Sequence, residues 1–182
     1  MSKGKLYVIS GASGVGKSTV LKQVLDARPD IRFSVSATTR APRKGEIDGV
    51  HYYFVSKEQF RTMIENDAFV EYDSHMENSY GTPRAQLEEK LSQGDVILDI
   101  EPVGAFNVRA QCPDAVLIFI APPSFEELER RLCGRGDTAQ DQIDVRLARA
   151  KWEMEQSKKY DYIVINEQVE TCAAEILRII SK

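Results

Sequence analysis

The sequence is poor in the residues that metal and redox chemistry draw on. Among 182 residues there are only three cysteines and two histidines. Cys112, Cys133 and Cys172 are widely spaced and form no CxxC pair, which argues against a cysteine metal site and for reduced thiols in a cytoplasm. His51 and His75 lie far apart in the chain, so a surface or packing role is expected of both. A basic excess is also missing. The balance is 24 basic against 28 acidic side chains, a net charge of -4, which argues against a sequence-independent nucleic-acid or anionic-membrane surface. The longest apolar run, Ala115 to Ala121 ("AVLIFIA"), is far too short to span a bilayer. "MSKGK" leads into a strand with no apolar signal region, so no leader is expected. Internal repeats, low-complexity tracts and linkers are absent.

What is present reads as alternating strand and helix. Short β-rich runs recur at "LYVIS", "FSVSATT", "VILDI", "AVLIFI" and "YIVIN". Most are nearly continuously apolar, as expected for strands covered on both faces. Helical stripes fall between them: Val20, Leu21, Val24 and Leu25, then Phe125, Leu128 and Leu132, then Ala173, Ile176, Leu177 and Ile180. Ser124 with Glu127 predicts a capping box at the start of the second stripe. The pattern predicts a parallel α/β core. Residues 40–82 break the rhythm with short strands and turn pairs such as Asp48-Gly49, predicting a small antiparallel insertion. Arg135 to Ser157 is glycine-punctuated and then charged and helical, which suits a closing lid.

Gly11-Ala12-Ser13-Gly14-Val15-Gly16-Lys17-Ser18 matches G-x-x-x-x-G-K-[ST] between a strand and a helix, with Thr19 following. Glycines let the backbone turn with positive φ and approach a ligand without a Cβ in the way. Successive N–H groups and the helix N-terminus then face a β-phosphate. Lys17 supplies a mobile positive charge to β- and γ-oxygens, and Ser18 a hydroxyl ligand for magnesium. This predicts a nucleoside triphosphate but does not name the acceptor. Asp99, ending an apolar strand, suits a carboxylate near Lys17 or the metal's water shell.

In "TTRAPRKGEIDGVHYYF", Thr38 to Phe54, Arg40 and Arg43 offer bidentate forks for a phosphate dianion and Tyr52 a phenolic donor. By itself the stretch could equally be a solvated basic loop. Its whole spacing, however, resembles the acceptor signature of guanylate kinases. "FVEY", "SYGTPR", "VILDIE", "IFIAPPS", "RRLCGRG", "VRLARA" and "YIVIN" follow in the family's order, so the resemblance covers nearly the entire chain.

That resemblance implies a nucleoside monophosphate kinase fold with a five-stranded parallel core flanked by helices, a small mixed or antiparallel GMP-binding insertion and a helical lid. It implies one domain over residues 1–182, with the core at 1–37, 83–125 and 158–182, the insertion at 38–82 and the lid at 126–157. The implied reaction is ATP + GMP giving ADP + GDP with magnesium, in the cytoplasm, with no nucleic acid or membrane partner. The oligomeric state stays open. Carried over by motif, Arg40, Arg43, Tyr52 and Tyr80 would hold the GMP phosphate, and Ser36, Glu71, Thr82 and Glu101 would read the guanine. Arg131, Arg135 and Arg146 match lid and hinge arginines that contact the ATP phosphates and the moving phosphoryl group; Arg149 is a weaker candidate. Asn166 is expected near the adenine. The catalytic set is thus Lys17, Arg40, Arg131, Arg135 and Arg146.

Guanine presents N1–H and N2–H donors beside an O6 acceptor, so buried carboxylates and hydroxyls complement it where adenine would not. A phosphate monoester dianion is already a nucleophile and needs no general base, so the work is alignment and charge neutralisation. Closure of the lid and insertion would exclude water. The sequence departs from the family pattern at Glu101-Pro102-Val103-Gly104, where an aspartate and a glutamine are usual, so the guanine contact is expected to be re-aimed or bridged by water. It departs again at Glu77-Asn78-Ser79-Tyr80-Gly81, which keeps the tyrosine. Two rival readings are a kinase of the same fold acting on a sugar phosphate such as ribose 1,5-bisphosphate, and a phosphopeptide-binding scaffold domain; the latter would not need an intact phosphate loop.

Overall fold

The computed structural model describes residues 4–75, 77–133 and 140–182. In chain order the elements begin with β1 (Leu6–Gly11), α1 (Lys17–Ala27), β2 (Arg32–Ser34), β3 (Ala37–Thr38), β4 (Tyr53–Phe54) and α2 (Lys57–Glu65). Then come β5 (Phe69–His75), β6 (Asn78–Pro83), α3 (Arg84–Gln93), β7 (Val96–Asp99) and α4 (Pro102–Gln111). The rest are β8 (Val116–Ala121), α5 (Phe125–Cys133), α6 (Gln140–Gln156), β9 (Tyr162–Ile165) and α7 (Val169–Ile180). No helix among the described residues is long and apolar enough to cross a membrane.

The main sheet is five-stranded and parallel, in the order β2-β7-β1-β8-β9, with helices flanking it. Its strands are the continuous apolar runs of the sequence: Val96 to Leu98 and Leu117 to Ile120 are fully buried. The two edge strands depart: Arg32 and Phe33 of β2 are half-buried, and Ile163 and Ile165 of β9 are exposed. The second sheet has the order β4-β3-β6-β5 and is mixed, since β3 runs parallel to β4 but antiparallel to β6.

The stretch "FSVSATT", read from sequence as one strand, is two. Phe33 in β2 pairs with Ile97 in the main sheet, whereas Ala37 in β3 pairs with Gly81 and Tyr53 in the second. The chain changes sheet at Val35-Ser36. A run of small and β-branched residues suits a strand in either sheet, so composition cannot mark the crossing.

The chain divides into two compact units. The first, Met1–Tyr7 with Asp30–Ala115, holds β2, β7, α3, α4 and the second sheet with α2. A small core of Ala37, Phe60 and Phe69, flanked by Tyr53, Val55, Met63 and Ile64, packs α2 on that sheet. A capping box starts α2: Ser56 Oγ accepts the Gln59 amide and the Gln59 side chain accepts the Ser56 amide. The second unit, Val8–Pro29 with Val116–Lys182, holds α1, β8, β9, α5, α6 and α7. Of the stripes predicted from sequence, Val20, Leu21 and Val24 of α1, Leu128 and Leu132 of α5, and Ala173, Ile176 and Ile180 of α7 are buried, while Leu25, Phe125 and Leu177 at the stripe margins are half-buried. The predicted box at α5 is only half formed. Ser124 Oγ accepts the Glu127 amide at 3.1 Å, but the Glu127 carboxylate turns to Arg130 and Arg131. Two guanidinium partners outweigh one backbone amide.

Candidate active site: a phosphate loop and a buried carboxylate pocket

In the second unit, β1 ends at Gly11 and α1 starts at Lys17, so residues 12–16 form a tight loop. Gly14 and Gly16 take φ of 84° and 90°, the left-handed region that β-carbons disfavour. Space requires glycine as well: a Cβ on Gly14 would stand 2.6 Å from Leu132 Cδ2, and one on Gly16 3.1 Å from Asn166 Nδ2. The N-cap of α1 is Gly16, which has no side chain to cap the helix, so the positive end of α1 is open to an anion. Lys17 is half-buried at that end, with Ser18 and Thr19 exposed beside it.

Two side chains hold the loop from below. Asn166, just past β9, donates from Nδ2 to the Val15 carbonyl at 2.7 Å. Glu153 of α6 accepts the Ser13 amide at 2.8 Å. Arg131 donates from Nε to Glu127 at 2.8 Å and from a terminal nitrogen to the Asn166 carbonyl at 3.1 Å. An open cavity of about 420 Å³ results, lined by Gly14, Gly16, Thr19, Arg131, Asn166 and Glu167. The structure therefore gathers the loop, Arg131 and Asn166 at one place, although the Asn166 amide nitrogen serves the loop backbone. Arg146 lies half-buried on α6. Arg135 lies outside the described residues.

In the first unit, the "TTRAPRKGE" segment folds on itself. Glu46 accepts from an Arg40 terminal nitrogen at 2.8 Å and from the Arg43 amide at 2.7 Å. These contacts hold the Glu46 carboxyl at about 2, with the Arg40 hydrogen bond the largest cause. Arg40 lies 5.4 Å from the Tyr52 ring centroid, and its pKa is raised mainly by the Glu46 hydrogen bond, with a Tyr80 hydrogen bond adding to the rise. Tyr52 and Tyr80 meet edge to face at 6.1 Å. Arg40, Tyr52 and Tyr80 thus converge, with Arg43 joined through its backbone. The sequence placed Glu46 in the signature but gave it no role; its spacing from both arginines was the available signal.

The same unit buries a carboxyl group. Glu71 on β5 is 6% exposed and pairs across the sheet with buried Thr82, and Ser36, where the chain changes sheet, is buried as well. The Thr82 hydroxyl donates to Glu71 Oε1 at 2.5 Å. Burial pushes the Glu71 carboxyl up to about 7 and the charge of Asp73 adds to the rise, while the Thr82 bonds oppose it. Its other oxygen packs against the first turn of α4: a Cβ on Gly104 would stand 2.5 Å from Oε2. Glu101 is the N-cap of α4, followed by Pro102 at N1. The Pro102-Val103 substitution therefore builds a regular helix start, with Glu101 three residues before the glycine that seats Glu71. Asp99 ends β7 half-buried in the same unit.

A guanidinium–tyrosine corner next to a buried carboxylate–hydroxyl pair suits a ligand with a phosphate at one end and paired N–H donors at the other. The loop in the second unit suits a polyphosphate.

The profile of the guanylate kinase family matches residues 3–182. A guanylate kinase of Clostridioides difficile (strain 630) is 49% identical over 182 residues, spanning 100% of this chain and 89% of that protein. One from Thermus thermophilus is 47% identical over 180 residues, spanning 98% and 81%. Among solved structures, the crystal structure of guanylate kinase from Anaplasma phagocytophilum is similar at a TM-score of 0.82 and 36% identity, over 100% of this chain and 86% of that one.

Proposed function

The chain belongs to the guanylate kinase family, and from that premise we infer how its residues serve the reaction. It is an enzyme, an ATP:GMP phosphotransferase. A phosphate oxygen of GMP bonds to the γ-phosphorus of ATP, the bond from that phosphorus to the β–γ bridging oxygen breaks, and ADP and GDP leave. The observation that carries this reading is the pairing, in one chain, of an intact phosphate loop with a buried carboxylate hydrogen-bonded to Thr82.

ATP occupies the loop of Gly11 to Thr19, with its phosphates on the amides of the first turn of α1 and on Lys17. Arg131 reaches the same phosphates, and Arg135 and Arg146 join it by motif. The cavity beside Asn166 takes the nucleoside end. GMP places its phosphate among Arg40, Arg43, Tyr52 and Tyr80. Arg40 releases or shares its Glu46 partner as the phosphate dianion enters, since both anions want the same fork. Its guanine lies on Ser36, Glu71, Thr82 and Glu101. The Glu71 carboxylate accepts from N1–H and N2–H, and adenine would leave it facing an acceptor.

Magnesium fits a nucleotide-borne site. Ser18 offers one exposed hydroxyl at the loop, and among the described residues no three acidic, histidine or cysteine side chains gather to hold a metal. The Ser18 hydroxyl would hold a magnesium ion brought in with the nucleotide, with Asp99 joining through water. When bound, the ion offsets charge on the phosphates. Everything else asked of the protein is alignment by fixed cations and exclusion of water.

We also assign residues 38–82 to the acceptor-binding insertion, residues 126–157 to the lid and the remainder to the core. The second sheet, running from Ala37 to Pro83, supports the first boundary. The free thiols Cys112, Cys133 and Cys172 support a cytoplasmic location. A coupled assay with ATP and magnesium tests the reading on GMP, dGMP, IMP, AMP, UMP and ribose 1,5-bisphosphate. GMP should be turned over far faster than AMP; equal rates on AMP, or turnover of the sugar phosphate alone, would refute it.

A further inference from the structure

Glu153 has no place in the reaction as described, yet it is one of the most deeply buried charged side chains. Its side chain is 3% exposed, on the last turns of α6, and its two oxygens have different partners. Oε2 accepts the amide of Ser13, inside the phosphate loop, at 2.8 Å. Oε1 accepts from Arg149 Nε at 3.0 Å, one turn earlier on the same helix. Next to it Tyr160 is buried, its phenol pushed up by that burial and further by the charge of Glu153, with a Ser10 hydrogen bond opposing. Ser10, at the end of β1 just before the loop, is fully buried too.

An anion beneath a loop that must receive a polyanion works against binding. It is tolerable where the charge is offset and where its hydrogen bonds do something neutral groups cannot. Arg149 supplies the offset. The bonding also needs a carboxylate, because both neighbours are donors. A carboxamide could accept from Ser13 or from Arg149, but it would turn an NH₂ group toward the other. Arg146, Arg149 and Glu153 stand at i, i+3 and i+7 of α6, along one stripe of the helix. The carboxylate thus joins the loop backbone to the helix bearing Arg146.

We propose that Glu153 is a positioning residue for the phosphoryl donor. Its bridge from the Ser13 amide to Arg149 locks the phosphate loop to α6, so the loop's anion-binding shape and the placement of Arg146 are set together. This rests on the reading above that the loop binds ATP. Glu153 touches neither nucleotide and acts only through Ser13 and Arg149.

The test compares wild type with Glu153→Gln, Glu153→Asp and Arg149→Gln in steady-state kinetics. Calorimetric titration of magnesium ATP is run alongside. Glu153→Gln should raise KM and Kd for ATP about ten-fold or more, the scale of one charge-assisted hydrogen bond, and leave KM for GMP within about two-fold. Glu153→Asp should recover part of the loss, and Arg149→Gln should weaken ATP while keeping the Ser13 contact. In amide NMR spectra the Ser13 proton, shifted downfield by the carboxylate, should move upfield in Glu153→Gln. An unchanged ATP affinity and Ser13 signal in Glu153→Gln would overturn the proposal, as would equal losses for both nucleotides. If Glu153→Gln does not fold, Arg149→Gln and Glu153→Asp decide by their ATP and GMP affinities: unchanged ATP affinity in both, or equal losses for both nucleotides, would overturn the proposal. Failure of the wild type to bind ATP would instead refute the functional reading.

Discussion

Glu71 should make GMP binding depend on pH in a way that its phosphate alone cannot. Its carboxyl sits at about 7, mainly through burial. On the proposed placement of guanine against Glu71, binding needs the ionised form, because a protonated carboxyl would turn a donor toward the N–H groups. The apparent dissociation constant is therefore multiplied by one plus the ratio of protonated to ionised carboxyl. That factor is about 11 at pH 6, about 2 at pH 7 and about 1.1 at pH 8, so affinity improves about ten-fold from pH 6 to 8. Ionisation of the nucleotide's own phosphate near pH 6 contributes in the same direction. Glu71→Gln separates the two, since an amide does not titrate: the variant should bind GMP weakly and keep only the phosphate dependence. Calorimetry in buffers of different ionisation enthalpy should show about half a proton released per GMP at pH 7 beyond that in the variant. The same shift acts oppositely on the empty fold. A carboxyl raised from 4.5 to about 7 stabilises the folded state fully below its unfolded value, and this is lost as the pH rises through 7, by about 3 kcal/mol in all. Bound GMP should cancel most of that loss. A wild-type to Glu71→Gln affinity ratio that stays flat from pH 6 to 8 would refute the argument.

Lys17→Ala should lower turnover by about 10²-fold or more, the effect of removing one preorganised charge contact; single-turnover rates near wild type would rule out its role. Arg40→Ala should raise KM for GMP about ten-fold or more with KM for ATP unchanged. In the same variant the Glu46 carboxyl should rise from about 2 toward 4.5, which carbon-13 NMR titration would detect. Gly104→Ala opposes two effects: alanine favours helix α4 by about 1 kcal/mol, yet its Cβ would stand 2.5 Å from Glu71 Oε2. The variant should melt no lower than wild type and bind GMP about ten-fold more weakly; unchanged GMP affinity would show that Glu71 does not depend on this close approach.

The sequence by itself determined the glycine loop between β1 and α1 and most of the core. In both cases the information is local: glycine spacing dictates backbone conformation, and uninterrupted apolar runs dictate strands covered on both faces. The arginine-tyrosine signature was equally readable because Arg40, Arg43 and Tyr52 fall within thirteen residues. Only the tertiary structure decided that "FSVSATT" serves two sheets, since pairing partners, not propensity, assign a strand. It also decided the fate of three glutamates that look alike in sequence. Glu46 is tied to guanidinium and loop amide and stays ionised. Glu71 is walled in by Thr82 and Gly104 and holds its proton to about 7. Glu153 reads as one more i, i+4 surface pair with Arg149 until the fold brings Ser13, 140 positions away, onto its second oxygen. A carboxylate's charge state and task follow from its dielectric surroundings and hydrogen-bond donors, and those come from residues that only folding makes neighbours.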